Sequence, residues 1–97
     1  MTKEEQEEHF KDFTDRQLEI ITSKQSDYAN EDVLSNFKLA GAVAGITAEQ
    51  QCLSLIATKV ARLGVLLKSG EPNNESIRDS VIDLANYSVK LDQLLSE

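Results

Sequence analysis

The chain has 97 residues, of which 40% are hydrophobic and only 5% aromatic, with no Trp, so it can build one small core. A core of Leu, Ile, Val and Ala with few aromatic rings suits packed helices better than a sandwich of short strands. The formal net charge of −7 would repel the phosphates of DNA or RNA, which argues against a nucleic-acid polymer as partner. A small phosphorylated ligand stays compatible with this charge, because two or three local cations can hold it.

The first predicted helix covers residues 3–23. It opens with an acidic run, Glu4 to Glu8, which suits a helix N-terminus through the helix macrodipole. The polar stretch from Ser23 to Asn30 is expected to end this helix. One of its faces is traced roughly by Phe10, Phe13, Gln17, Ile20 and Ile21.

A second, shorter helix is predicted over about residues 31–44, with Leu34, Phe37 and Val43 facing inward. Gly45 is a typical C-terminal stop for it.

The third helix is predicted to begin at Thr47-Ala48-Glu49-Gln50, which has the form of a capping box, and to run to about Lys68. Its apolar residues recur in steps of three and four, which predicts one buried seam. The seam consists of Leu53, Ile56, Val60, Leu63 and Leu67.

The loop from Ser69 to Asn73 offers a Gly to end one helix and an Asn to cap the next, so a fourth helix is predicted over residues 74–95. Its matching seam is Ile77, Val81, Leu84, Ser88, Leu91 and Leu95. Two helices of similar length with matched seams and a short loop predict an antiparallel hairpin. The expected fold is all-α, a small bundle of about four helices. We expect a single domain over residues 1–97, with an N-terminal helix (1–23) and a core (24–97).

A second stripe of the fourth helix is polar and carries Glu75, Asp79, Asp83, Asn86 and Lys90. Lys59 and Arg62 share a face of the third helix, so the hairpin can bring them to this stripe. One interpretation is interhelical salt bridges from these cations to Asp79 and Asp83. The other is a polar pocket, in which Arg62 grips a phosphate and Lys59 adds a point charge. In that pocket the carboxylates would hold a metal, a sugar hydroxyl or a base amine.

A second candidate site lies between the first two helices and comprises Lys24, Gln25, Ser26, Asp27 and Tyr28, followed by Asp32, Asn36 and Phe37. A loop rich in hydrogen-bond donors with one aromatic ring suits the edge of a ligand site, where Tyr28 can stack on a base. The alternative is that Asp27 and Asn30 are ordinary turn and cap residues and Tyr28 belongs to the core.

Cys52 is the only cysteine, which excludes an intramolecular disulfide or a cysteine metal cluster and suggests a reducing cytosol. We expect Cys52 in the core and His9 in solvent rather than in catalysis. No apolar run reaches membrane-spanning length, so no membrane partner is expected. The limited core, with apolar residues on the first helix that need cover, predicts a homo-oligomer, a dimer or higher.

Four blocks of the chain resemble one known family. They are Lys24-x-x-Asp27-Tyr28-Ala29, Asn36-Phe37, Lys59-x-x-Arg62-Leu63 and Asn74-Glu75-Ser76-x-x-Asp79-x-x-x-Asp83-Leu84-Ala85-Asn86-Tyr87. Together they resemble the phage-type nucleotide modification associated domain 1 family, over roughly residues 24 to 90. The last block is the most specific of the four.

The resemblance implies a small all-α domain of phage or prophage origin, linked to nucleotides and similar to the helical MazG-like and dUTPase-like pyrophosphohydrolases. Those enzymes hold Mg²⁺ with two carboxylate pairs on two helices. This chain departs from that pattern, with Glu75, Asp79 and Asp83 on one helix and Lys59 and Arg62 where the other pair should lie. The departure favours binding over hydrolysis.

The sequence and the resemblance together predict a phage-type protein of the host cytoplasm that binds or sequesters a nucleotide or nucleotide-derived ligand between helices. By analogy with small phage proteins that bind without cleaving, the ligand can be an immune signal that is sponged away. The expected ligand-binding residues are Lys24, Asp27, Tyr28, Asn36, Lys59, Arg62 and Asn86. If a metal such as Mg²⁺ is bound, its expected ligands are Glu75, Asp79 and Asp83. The alternatives are a Mg²⁺-dependent nucleotide pyrophosphohydrolase, an accessory protein of nucleotide modification, and a structural helical interaction module.

Overall fold

The computed structural model describes residues 1–25, 32–69 and 74–97, without the side chains of residues 24–25 and 74–76. Every regular element in these ranges is an α-helix, which confirms the predicted all-α bundle of four helices. The helices are α1 (Lys3–Gln25), α2 (Ser35–Ala44), α3 (Ala48–Lys68) and α4 (Asn74–Leu95). In the described part of the chain, no helix combines the length and apolarity needed to cross a bilayer.

The start of α2 differs from the prediction, because a turn precedes it. The Asp32 side chain accepts a hydrogen bond from the Leu34 backbone N–H at 2.9 Å, and the Ser35 N–H donates to the Asp32 carbonyl at 3.1 Å. This local bonding competes with the helical pattern, so α2 begins at Ser35 rather than near residue 31.

The turn between α2 and α3 follows its sequence signals. Gly45 ends α2 in the left-handed conformation, with φ of 75°, and the Ile46 N–H donates to the Gly41 carbonyl at 2.9 Å. Thr47 and Gln50 exchange the two hydrogen bonds of a capping box, at 3.0 and 2.9 Å. A Cβ on Gly41 would lie 2.9 Å from the Ile46 carbonyl oxygen, so the turn folds back on α2 only with glycine there.

α3 and α4 form the predicted antiparallel hairpin, while its loop, residues 70–73, lies outside the described residues. Near the start of α3, the Cys52 thiol donates to the Tyr87 carbonyl at 3.4 Å, whereas Lys59, farther along α3, reaches back to Asp83. The core lies where α2 meets the start of α3 and the end of α4. It consists of Leu34, Phe37, Cys52 and Leu94.

The predicted seam of α3 faces inward only in part, since Ile56 packs against the core and Leu63 is half-buried. Leu53, Val60 and Leu67 are exposed, and the inward side of α3 instead carries Cys52 and Lys59. The spacing of three and four identifies an apolar stripe, but a neighbouring stripe of the same helix has the same period and can take its place.

A similar correction applies to α4 and to one residue of α2. Val81 and Leu95 are exposed, whereas Ile82 and Asn86 are buried, so part of the polar stripe points inward. On α2, Leu34 and Phe37 are buried as predicted, but Val43 is 91% exposed because it lies on the far side of the helix from Phe37.

α1 contacts only α4 among the described elements. Its half-buried residues include Phe13, Gln17, Ile20 and Ile21, as the sequence predicted, while Phe10 is exposed. An ion pair between Arg16 Nη2 and Asp79 Oδ1, at 2.8 Å, joins α1 to α4.

Candidate functional site

A groove lies where α2 packs over the α3–α4 hairpin. Its cavity volume is about 220 Å³, which is below the ~300–1,000 Å³ of sites for drug-sized ligands, so it suits a single ring system rather than a large ligand. All three helices contribute to its lining, which consists of Asn36, Phe37, Ala40, Gln51, Leu55, Tyr87 and Lys90.

Two aromatic rings and an ammonium group form the centre of this groove. The rings of Phe37 and Tyr87 meet edge to face, with centroids 6.3 Å apart and planes at 87°. Lys90 Nζ lies 5.8 Å from the Phe37 centroid and 5.5 Å from the Tyr87 centroid, within cation–π range. The groove therefore offers aromatic surface and a positive charge side by side.

Two carboxamides flank the rings. Asn36 is exposed on α2 and Gln51 is half-buried on α3. A carboxamide both donates and accepts hydrogen bonds, as the edge of a nucleobase also does. Phe37 is only 4% exposed, so the half-buried Tyr87 supplies the accessible ring surface. The groove thus combines an aromatic ring, hydrogen-bonding carboxamides and a cation.

Lys59 forms a salt bridge with Asp83 across the helix interface. Lys59 Nζ lies 2.9 Å from Asp83 Oδ2, and the side chains are 24% and 27% exposed. This pair matches the interhelical salt bridge that was one of the two sequence interpretations. Because each group is partly withdrawn from water, removing either partner would leave a poorly solvated charge.

Arg62 and Asp79 are not paired with each other. Asp79 pairs with Arg16 of α1 instead, and Arg62, exposed on α3, forms no ion pair with any described carboxylate. The partner of Asp79 comes from 63 residues away along the chain, so the hairpin pattern could not reveal it.

Asn86, a predicted ligand residue, is 5% exposed and does not line the groove. Its Oδ1 has no hydrogen-bond partner among the described residues. An unsatisfied buried acceptor of this kind costs about 1–3 kcal/mol. The buried Asn86 amide therefore lowers the free energy of unfolding of the protein.

The remaining predicted site residues divide between described and undescribed parts of the chain. Asp27 and Tyr28, and the side chains of Lys24 and Glu75, lie outside the described residues. Within the described part, no three His, Cys, Asp or Glu side chains cluster so that they could hold a metal. The Mg²⁺ site therefore stays a prediction, with Asp79 already ion-paired to a cation.

Asp32, from the second candidate site, belongs to a surface network at the start of α2. Lys38 Nζ lies 2.6 Å from Asp32 Oδ2 and 2.8 Å from Glu97 Oε2. The hydrogen bond from Lys38, followed by that from the Leu34 backbone, lowers the pKa of Asp32. The hydrogen bonds to Asp32 and then Glu97 raise the pKa of Lys38. These groups hold α2 against the end of the chain.

A second cavity of about 310 Å³ separates α1 from α4. It contains cations and a carboxylate together, and its Arg16 is already ion-paired to Asp79. Its charges are therefore partly neutralised. It is lined by His9, Asp12, Phe13, Arg16, Arg78, Val81 and Ile82.

Of the predicted ligand residues, Asn36 lines the groove, whereas its lining residues Gln51, Tyr87 and Lys90 were not predicted as ligand residues. Tyr87 ends the most specific sequence block and Lys90 belongs to the polar stripe of α4, so both could have been predicted as site residues. Gln51 could not have been predicted, since its place in the groove depends on how α2 crosses α3.

No family model, no curated protein and no solved structure matches this chain. The resemblance to the nucleotide modification associated family, and the MazG-like relation it implies, therefore remain predictions.

Proposed function

We propose that the protein binds a nucleotide or a nucleotide-derived ligand in the groove between α2, α3 and α4. The observation that carries the proposal is the half-buried Tyr87 ring beside the Lys90 ammonium group, with the buried Phe37 ring packed edge to face against Tyr87. Nucleobases stack on aromatic side chains, and a nearby cation attracts the attached phosphate. The carboxamides of Asn36 and Gln51 supply donors and acceptors for a base edge.

The position of Arg62 supports a phosphate contact at the end of the groove. Gln51, Leu55 and Arg62 follow one another at steps of four and seven residues, so they share one face of α3. Arg62 lies about 10 Å along the helix axis from Leu55, at ~1.5 Å per residue. A chain of phosphates that starts from a base in the groove spans such a distance. The absence of an ion pair among the described carboxylates leaves the guanidinium available for it.

The proposal includes a phage-encoded protein that sequesters its ligand in the host cytoplasm, and this part rests on the sequence resemblance. It also includes a homo-oligomer, since the described helices leave several large apolar side chains exposed.

The direct test is mass spectrometry of small molecules released when the purified protein is denatured, followed by calorimetry with mono-, di- and cyclic nucleotides. Lys90→Ala should weaken binding of a ligand that the wild type binds by roughly 10- to 100-fold, the scale of a charged hydrogen bond. Lys68→Ala is the matched control, because Lys68 is exposed at the end of α3 and outside the groove. Circular dichroism of each variant checks that its helices persist.

Arg62→Ala separates the two interpretations of Arg62. Its thermal stability should match the wild type, because Arg62 makes no ion pair with a described carboxylate. A loss of affinity without a loss of stability assigns Arg62 to the phosphate. A wild-type protein that carries no nucleotide and binds none at millimolar concentration would refute the proposed function.

A further inference from the structure

The α3–α4 hairpin presents an uncovered apolar surface, which we call the open face. Its exposed large residues are Leu53, Val60 and Leu67 of α3 and Leu95 of α4, which are between 53% and 69% exposed. Val81 of α4, 41% exposed, lies at its edge, where α4 borders the cavity against α1. These are members of the two seams that the sequence predicts to be buried. Residues whose spacing is typical of a buried seam are therefore exposed on the surface of the single chain.

The two exposed stripes lie on the same side of the hairpin. Successive residues of a helix turn by about 100°, so the Leu53–Val60–Leu67 stripe is rotated by about 90° from the inward stripe of α3. The Val81–Ser88–Leu95 stripe is rotated by about 120°, in the same sense, from Asp83 and Tyr87, the α4 residues that bond to Lys59 and Cys52 of α3. In antiparallel helices, rotations of the same sense bring both stripes to one side.

The composition of the open face fits the centre of an interface. Beside the exposed residues lie Leu63, Ile77 and Leu84, which are half-buried, while Ile56 and Leu91 complete the seams and pack against the core, so no charged side chain interrupts either seam. Ala57, Gly64 and Ser88 fill the remaining positions. A Cβ on Gly64 would meet nothing within 4 Å, so this flank of α3 is open to the close approach of another helix.

The spacing on both helices is that of a helical bundle. Leu53, Val60 and Leu67 are seven residues apart, and so are Val81, Ser88 and Leu95, with further apolar residues three or four positions away. This is the spacing with which a helix packs along another helix at a shallow angle. A face with two such seams can pack on an identical face.

The area of the open face is close to the area that a dimer interface requires. Helices of 21 and 22 residues are each ~30 Å long and ~10 Å wide, so together they present a face on the order of 600 Å². A partner in a stable interface contributes ~800 Å². The face is therefore close to the area that a specific dimer requires, before any contribution from side chains at its rim.

We propose that the open face is the contact surface of a two-fold homodimer, in which two α3–α4 hairpins pack into a four-helix arrangement. Neither seam contains a charged side chain, so two copies of the face can pack on each other without burying an unpaired charge. The inference gives a surface to the homo-oligomer proposed above and does not depend on the ligand. Gln51 and Leu55 of the groove lie on the opposite side of α3, so both grooves stay open.

The test measures the mass of the full chain in solution, by light scattering and sedimentation equilibrium across the micromolar range without added nucleotide. The wild type should have twice the mass of one chain. Leu67→Lys should raise the dimer dissociation constant by about 100-fold, because each substitution site occurs twice in a two-fold interface. Leu39→Lys is the matched control, since Leu39 on α2 is 64% exposed and Leu67 is 69% exposed. It should remain a dimer.

Methyl NMR of the wild type provides a readout that needs no variant. On dilution, the methyl signals of Leu53, Val60 and Leu67 should shift, while those of Leu39 and Val43 should not. A monomeric wild type would overturn both the face and the homo-oligomer. A dimer that persists in Leu67→Lys, or dilution shifts confined to α2, would overturn the face alone. Neither result bears on whether the groove binds a nucleotide.

Discussion

Phe37→Ala should be among the most destabilising single substitutions in the described chain. Phe37 is 4% exposed, belongs to the core with Leu34, Cys52 and Leu94, and meets the Tyr87 ring edge to face. Truncating a buried Phe costs about 3–5 kcal/mol, which includes the lost ring pair. A domain of this size has only about 5–15 kcal/mol of stability in total. At ~4–8 °C per kcal/mol, Tm should fall by at least about 12 °C.

The assay for this prediction is urea unfolding followed by circular dichroism, at one fixed protein concentration because association would add to stability. Val43→Ala is the control, since Val43 lies on the same helix and is 91% exposed. Its unfolding free energy should stay within about 0.5 kcal/mol of the wild type. If Phe37→Ala costs less than about 1 kcal/mol, the core does not lie at the α2 contact and the packing described here is wrong.

Three further predictions follow from buried or paired groups. Burial raises the pKa of the Cys52 thiol, so a thiol reagent at neutral pH should label it only on unfolding, and rapid labelling of the folded protein would contradict its burial. The lowered pKa of Asp32 gives stability that is complete above its unfolded pKa of about 4 and is lost as pH falls through the lower folded value. Asp32→Asn should therefore flatten the acid side of the stability curve, and superimposable urea titrations would count against the Lys38 contact. Asn86→Leu removes an unsatisfied buried acceptor, so its unfolding free energy should equal or exceed that of the wild type. A loss above about 2 kcal/mol would show that the Asn86 amide has a partner.

The helices could be predicted from the sequence because their ends depend on local chemistry. The Thr47–Gln50 capping box and the Gly45 stop each act within a few residues, so the sequence shows them directly. The predicted start of α2 is wrong for a related reason. The Asp32 turn also acts locally, but an Asp can bond either a turn or a helix start, and the pattern does not distinguish them.

The inward faces of α3 and α4 could not be predicted, because they depend on contacts between helices. Lys59 and Asp83 take inward positions through their salt bridge, and the apolar seams are displaced to the side. Periodicity gives the width and spacing of a stripe but does not say which partner covers it. In the proposed dimer, the exposed parts of both seams are buried by the second copy, so the sequence pattern reflects contacts between chains as well as contacts within one chain.

The candidate site could be predicted only in part, for the same reason. Asn36 was identified from its block, and Tyr87 lay beside the predicted Asn86, but the groove exists only because α2 crosses the hairpin. The partner of Asp79 came from α1, far away in sequence. Contacts between side chains that are far apart in the sequence cannot be predicted from the local spacing of residues.

The attachment of α1 to α4 alone implies that the protein does not open as one unit. In the described chain, α1 can detach without disturbing Leu34, Phe37 or Cys52, since it touches neither α2 nor α3. Its detachment uncovers Ile82 and breaks the pair between Arg16 and Asp79. Native-state hydrogen exchange should therefore show two tiers of protection, with the amides of α1 exchanging through a low-energy opening and those of α3 through global unfolding. Proteolytic sensitivity of the folded protein is then governed by this one helix contact, and much less by the core.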